Sequence, residues 1–174
     1  MIYEVGDKVV YPHHGAGTVV KKEKREVLGQ KREYLTIQIL HNDMTVLVPV
    51  DSADKAGLRK VIATRDVNEV IAVLRQDETK MPKNWNRRFK HNREKIKTGD
   101  IFELAEVVRN LSIREAEKGL STGEKQMFNR AKKILASELM YARGLDEGEA
   151  DKFLDGVLKE LKPATAGRRK LDDE

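Results

Sequence analysis

Residues 81–90, MPKNWNRRFK, gather side chains of the kind that grip a polyanion. They include the only tryptophan in 174 residues, followed at once by Asn86, Arg87 and Arg88. Between Lys80 and Lys97 eight lysines and arginines stand against Glu94 alone, a net +7, while the whole chain carries +5. The rest of the chain therefore sums to −2, and the basicity is local. Guanidinium and ammonium groups suit phosphate, and an exposed indole offers a face for a base to stack on. The competing reading makes Trp85 a core anchor beneath a solvated basic face, the usual place for a lone tryptophan. Its polar and cationic neighbours leave little apolar surface for the ring to join, which favours nucleic-acid contact.

A helix must present these groups. Pro82 discourages helix before it, Asn84 is a good N-cap, and no breaker follows through Lys95, so Trp85 is predicted in the first turn of a helix that stops at Gly99. Cations in a first turn face the positive end of the helix dipole and forgo the stabilisation acidic residues would give there. Free amides, dipole and cations together form a site for phosphate.

Catalytic chemistry is not suggested. A nucleophile with its base, a carboxylate pair in a pocket or a metal would be needed. The four histidines are His13, His14, His41 and His91, and the adjacent pair does not have helical ligand spacing. No phosphate-binding glycine loop ending in lysine occurs, and Asp and Glu read as caps and exposed helix faces. The expectation is a protein that is not an enzyme, with no cofactor, metal or small-molecule substrate. The chain has no cysteine, so disulfides and thiolate metal sites are excluded. Asp7, Lys8 and the His13-His14 pair argue against a signal peptide, and no apolar run approaches the ~20 residues of a membrane span. A cytoplasmic location is expected.

Hydrophobic periodicity divides the chain into an α+β arrangement. Residues 1–63 read as five short strands of a small antiparallel Tudor- or SH3-like β-barrel, with Leu35, Ile37 and Ile39 alternating against Tyr34, Thr36 and Gln38. Gly15 and Gly17 are read as a sharp bend, Leu28-Gly29-Gln30 as a turn, and His41-Asn42-Asp43 as a hairpin. Residues 64–161 read as an all-helical domain of about five helices. Capping boxes are expected at Asp66/Glu69, Asp100/Glu103 and Ser121/Glu124. Apolar stripes at Ile101, Leu104, Ala105, Val108 and Leu111, at Phe128, Ala131, Leu135 and Leu139, and at Phe153, Leu154, Val157, Leu158 and Leu161 are core. Residues 162–174, small and charged, are expected to be a disordered tail.

The strand at residues 46–50 has its own implication. Pro49 cannot donate to a ladder and is tolerated mainly at an edge. An apolar edge strand is either covered within its own fold or paired by a partner, and these residues alone do not choose.

Five segments, VGDKVVYPHHGAG, REYLTIQIL, TVLVPV, NWNRRFK and GLSTGEKQMFNRAKKIL, together resemble a CarD-type bacterial transcription regulator across residues 1–161. The N-terminal portion is also similar to the RNA polymerase interaction domain of the transcription-repair coupling factor. The resemblance implies a Tudor-like domain docked on the RNA polymerase β subunit and a helical domain on promoter DNA. By position, Arg25 and the strand Val46, Leu47, Val48 and Pro49 would contact polymerase, partly by strand pairing. Family members commonly carry an arginine between the two valines of this strand, where this chain has Leu47, which shifts weight to Arg25 and the backbone. Trp85 would be a minor-groove wedge at the upstream fork of the transcription bubble, with Arg87, Arg88, Lys90 and Lys125 on the DNA backbone.

The leading expectation is thus a polymerase-tethered factor that stabilises the open promoter complex. The alternative is a free-standing nucleic-acid binding module, marked by tight, salt-steep binding to bare nucleic acid. A reader of modified side chains is weaker, because Tyr3, Tyr11 and Tyr34 are few and scattered.

Overall fold

The computed structural model describes the backbone of residues 2–172 and side chains as far as residue 161. Five antiparallel strands come first: β1 (Lys8–Tyr11), β2 (Gly15–Val27), β3 (Gln30–Ile39), β4 (Thr45–Pro49) and β5 (Arg59–Lys60), in the sheet order β4-β3-β2-β1-β5. Strand alternation turns Leu35, Ile37, Ile39, Val9, Val19 and Val48 inward around Tyr3 and Leu58, all buried. The hydrogen-bonded ladder runs from β4 to β5 without closing between them, so β4 is a true edge.

Glycine does different work at two places. At the β2–β3 turn Leu28 and Gly29 have φ of 53° and 76°, the paired positive values of a type I′ hairpin. Gly15 and Gly17, read from sequence as a bend, lie within β2 and permit close approach instead. A Cβ on Gly15 would stand 2.8 Å from the Ser137 hydroxyl, and one on Gly17 2.6 Å from the Gln38 carbonyl oxygen. The irregularity in β2 falls after them, as a register shift between Val19 and Lys21.

Five helices follow: α1 (Val67–Leu74), α2 (Trp85–Lys97), α3 (Ile101–Glu117), α4 (Thr122–Arg143) and α5 (Glu147–Asp172). Asn84 caps α2 through Arg87 N–H at 3.1 Å, Asp100 caps α3 through Phe102 and Glu103 N–H, and Ser121 caps α4 through Glu124 N–H at 3.2 Å. Gly144, at φ 63°, ends α4. The box expected at Asp66 is not formed. Residues Thr64–Asp66 make a 3-10 turn, Asp66 is itself in the helical region, and its side chain caps nothing. The apolar stripes of α3, α4 and α5 meet Val67, Val70, Ile71 and Leu74 of α1 in a second core, with Phe128 and Phe153 partly buried at its margin. The expected disordered tail, 162–174, lies outside the residues whose side chains are described.

The two cores are joined along α4. Ala16 N–H donates to Ser137 Oγ at 2.9 Å, and the Thr18 and Tyr141 hydroxyls are 2.6 Å apart. Arg59 forms two bonds to the wholly buried Glu138, at 2.7 and 2.6 Å, and also donates to the Gly99 carbonyl. The second Glu138 oxygen function is shared with Ile62 N–H at 2.9 Å. The Glu138 carboxylate on α4 therefore fixes β5 and the chain leaving it, and Arg59 ties both to the α2–α3 turn.

Candidate nucleic-acid interface

The N-termini of α2 and α4 converge. Trp85 opens α2 and Ser121 caps α4, and the indole Nε1 donates to the Ser121 hydroxyl at 2.8 Å. Phe89, one turn along α2, stacks beneath the indole with centroids 5.2 Å apart and planes 19° from parallel. α4 lies against the stack at Gly123, where a Cβ would sit 3.5 Å from Trp85 and 3.6 Å from Phe89, ordinary van der Waals distances. The ring is held at one edge and on one face yet remains 42% exposed. The sequence misjudged its surroundings: Phe89 and Gly123 do supply an apolar seat, but a shallow one.

Two positive dipole ends thus lie side by side, with exposed Lys83 and Arg87 around the first and exposed Lys125 in the first turn of the second. Lys90 is also exposed, and with Asn86, Arg93 and Lys97 it has the i, i+4, i+7, i+11 spacing of one helix flank.

Arg88 is the exception among the DNA-contact residues expected from sequence. Its guanidinium is 3% exposed, bonded to Glu124 at 2.8 and 3.1 Å and to the Lys83 carbonyl at 3.0 Å. Those bonds leave it turned inward, so Arg88 organises the site and does not offer itself to a phosphate. Lys95 is likewise withdrawn from the basic cluster, by Glu103 at 2.7 Å and Glu106 at 3.0 Å. Burial pushes the Glu124 carboxyl upward more than any other influence, yet Arg88, Ser121 and Arg114 together carry it below its ordinary value. Glu124 stays ionised at neutral pH.

On the N-terminal sheet, β4 pairs with β3 from Gln38↔Thr45 to Tyr34↔Pro49 and exposes its other side. Val48 is buried and Val46 packs against the sheet core, while Leu47, between them, is 43% exposed. Leu47 is opposite Thr36, Thr36 is opposite Lys21, and Arg25 lies two alternations further along β2, so Leu47 and Arg25 share the outward face. Arg25 is exposed and bonded to Glu23 at 2.7 Å.

Comparison with known proteins decides the family. Residues 3–62 match the model of the CarD-like/TRCF RID domain, and residues 69–155 match that of the CarD C-terminal domain. The chain is 35% identical over 152 residues to the putative transcription factor YdeB of Bacillus subtilis (strain 168), covering 87% of this chain and 99% of that protein. The chain belongs to the CarD family. Among solved structures, that of the 72-residue N-terminal domain of Myxococcus xanthus CarD is 37% identical over 33% of this chain and 76% of its own, with a TM-score of 0.29.

In this CarD-family chain the residues that sequence missed are polar side chains that join separate elements. Ser121 was legible as a cap but not as the acceptor for Trp85. Glu124, expected as the capping-box partner of Ser121, and Glu138, expected on an exposed helix face, are buried against Arg88 and Arg59. Arg109, also buried, donates at 2.9 Å to the Val73 carbonyl at the end of α1, which accepts from the Gln76 N–H as well. No sequence spacing signals these partners, because each pair is formed by packing of separate elements. No group of three or more His, Asp or Glu that could hold a metal occurs among the described residues, and no described helix is long and apolar enough to cross a membrane.

Proposed function

We propose that this CarD-family protein is a transcription regulator that binds the RNA polymerase β subunit and stabilises the open promoter complex at the upstream fork of the bubble. The observation that carries this reading is the half-exposed indole of Trp85, fixed by Ser121 and Phe89 between two helix N-termini. A rigid aromatic ring finds free base faces where DNA is kinked or opening, and it finds few in intact duplex. Arg87, Lys90 and Lys125 would hold phosphates, which position the protein without reading sequence. Recruitment then falls to polymerase, through pairing on the free side of β4 and through Arg25 on the adjoining face. The protein raises the open population by its preference for the open state and by no more than that.

The test is promoter-opening kinetics with purified polymerase. Loss of one aromatic–base stack costs about 1–3 kcal/mol, so Trp85→Ala shortens the open-complex lifetime by roughly an order of magnitude if the contact is specific to that state. An unchanged lifetime with an intact fold refutes the wedge. Tight, salt-steep binding to bare nucleic acid, unaffected by polymerase, would instead favour a free-standing module.

A further inference from the structure

Beside the Trp85–Phe89 stack opens a cleft of about 290 Å³, lined by Phe89, Ile96 and Met127 with Arg93, Lys97 and Arg130 around them. A second cleft, of about 230 Å³, is lined by His13, His14, His41, Asn42, Arg130, Lys133 and Ile134. Both are bordered by His13 and Arg130, so the two clefts adjoin at these residues. No carboxylate lines either, in a chain with 29 acidic residues. Glu147 and Asp151 border a separate small cavity behind His41 and Lys133. The Arg130 guanidinium donates to the His13 carbonyl, and His41 Nε2 donates to the His14 carbonyl at 2.8 Å, which fixes the turn after β1 against α4.

We infer that a DNA strand gripped at Trp85 continues through these clefts, making the turn between β1 and β2 a second phosphate contact supplied by the N-terminal domain. This rests on the proposed role of Trp85. The layout favours a chain of phosphates over a compact anion, because the cations are divided between two adjoining clefts, with Arg93 and Lys97 at the first, Lys133 at the second and Arg130 at both. The 13 residues of α2 span about 20 Å. At about 3.4 Å of axial rise per phosphate on a strand, that is a path of roughly five or six nucleotides. The His14 ring fits the same account: burial first, then Arg130, His13 and His41, disfavour its charged form. A phosphate placed among these groups would remove the positive field and raise its pKa.

The probe is a labelled fork-junction DNA bound to the full chain at increasing salt. Lys97 and Lys133 form no ion pair among the described residues, so Lys97→Gln with Lys133→Gln leaves no stranded partner. Each phosphate contact contributes about 0.9 to the slope of log affinity against log salt, so the double variant is expected to lower the slope by nearly two. In parallel, the His14 ring titration followed by NMR moves upward when the DNA is bound. The inference is overturned by an unchanged slope and an unmoved His14 while Lys90→Gln still lowers the slope, which would leave the Trp85 site standing. It is equally overturned if inorganic pyrophosphate shifts His14 and fork DNA does not. If Lys90→Gln and Trp85→Ala also leave DNA binding unaltered, the underlying reading of Trp85 has failed as well.

Discussion

Trp85 and Ser121 are joined by a hydrogen bond although 36 residues separate them, and the same hydroxyl lies 3.2 Å from a Glu124 carboxylate oxygen. Glu124 in turn is bonded twice to Arg88. The exposed ring is therefore the outer end of a chain of polar contacts whose inner end is a buried ion pair. Buried ion pairs add little net stability but are costly to break from one side, which suits a device that fixes geometry.

Ser121→Ala removes both the α4 cap and the indole's acceptor. The expected loss of stability is about 1 kcal/mol, read as a urea midpoint. The sharper readout is time-resolved fluorescence anisotropy of Trp85, which should show faster local motion in the Ala variant and recovery in Ser121→Thr. Unchanged ring motion would show that Phe89 alone fixes the indole.

Arg88→Ala leaves the buried Glu124 carboxylate with only the Ser121 hydroxyl and the Arg114 guanidinium 3.9 Å away, and is expected to cost about 3 kcal/mol by chemical denaturation. Replacing both partners, Arg88→Met with Glu124→Leu, should recover much of that loss. A surface phosphate contact would behave oppositely, with little loss of stability and reduced DNA affinity in the single variant.

Acid should release the same pair. The Glu124 carboxyl titrates below its ordinary value in the folded protein, so its contribution is complete above the unfolded carboxyl pKa of about 4.3 and disappears as pH falls through the folded value. Stability and Trp85 emission should be level from neutral pH to about 5 and then fall together. Glu124→Gln should remove this share of the acid transition, and Glu106, lowered by Thr79 and Lys95 against its burial, should retain its own.

Gly15→Ala places a Cβ 2.8 Å from the Ser137 hydroxyl on a backbone with φ of 99°. Both effects act in one direction, and a loss of more than about 1 kcal/mol in thermal or urea unfolding is expected. Gly29→Asn is the counterpart: the φ there is 76° with nothing within 4 Å, and asparagine tolerates that region, so the change should be small.

Arg25→Glu should weaken capture by RNA polymerase in a pull-down without altering affinity for fork DNA. Leu47→Arg adds a second cation to the outward face that carries Arg25, on a side chain already facing solvent. It should leave folding intact and strengthen capture. Equal capture by parent and both variants would remove this face from the polymerase contact.

The parts of the fold legible in sequence are those governed by near neighbours. Asn84, Asp100 and Ser121 cap helices through amides two or three residues away, and Leu35, Ile37 and Ile39 alternate into the core as a two-residue period requires. Asp66 misled because a 3-10 turn drew it into helical geometry, where its carboxylate does not accept from the amides ahead of it. Gly15 and Gly17 misled because a glycine required for close packing looks the same in sequence as one required for a bend.

Sequence by itself determined that a tryptophan would open a strongly basic helix and that an apolar, proline-bearing strand would stand apart from the helical region. Tertiary structure alone decided which charges face outward. Arg87 and Arg88 are adjacent in the chain, but only Arg88 comes within reach of Glu124, 36 residues on, once α2 and α4 pack. The partners of Arg59 and Ala16 are 79 and 121 residues away. A local pattern carries no information about contacts that exist only after separate elements have met, and those contacts set the direction in which Trp85 points.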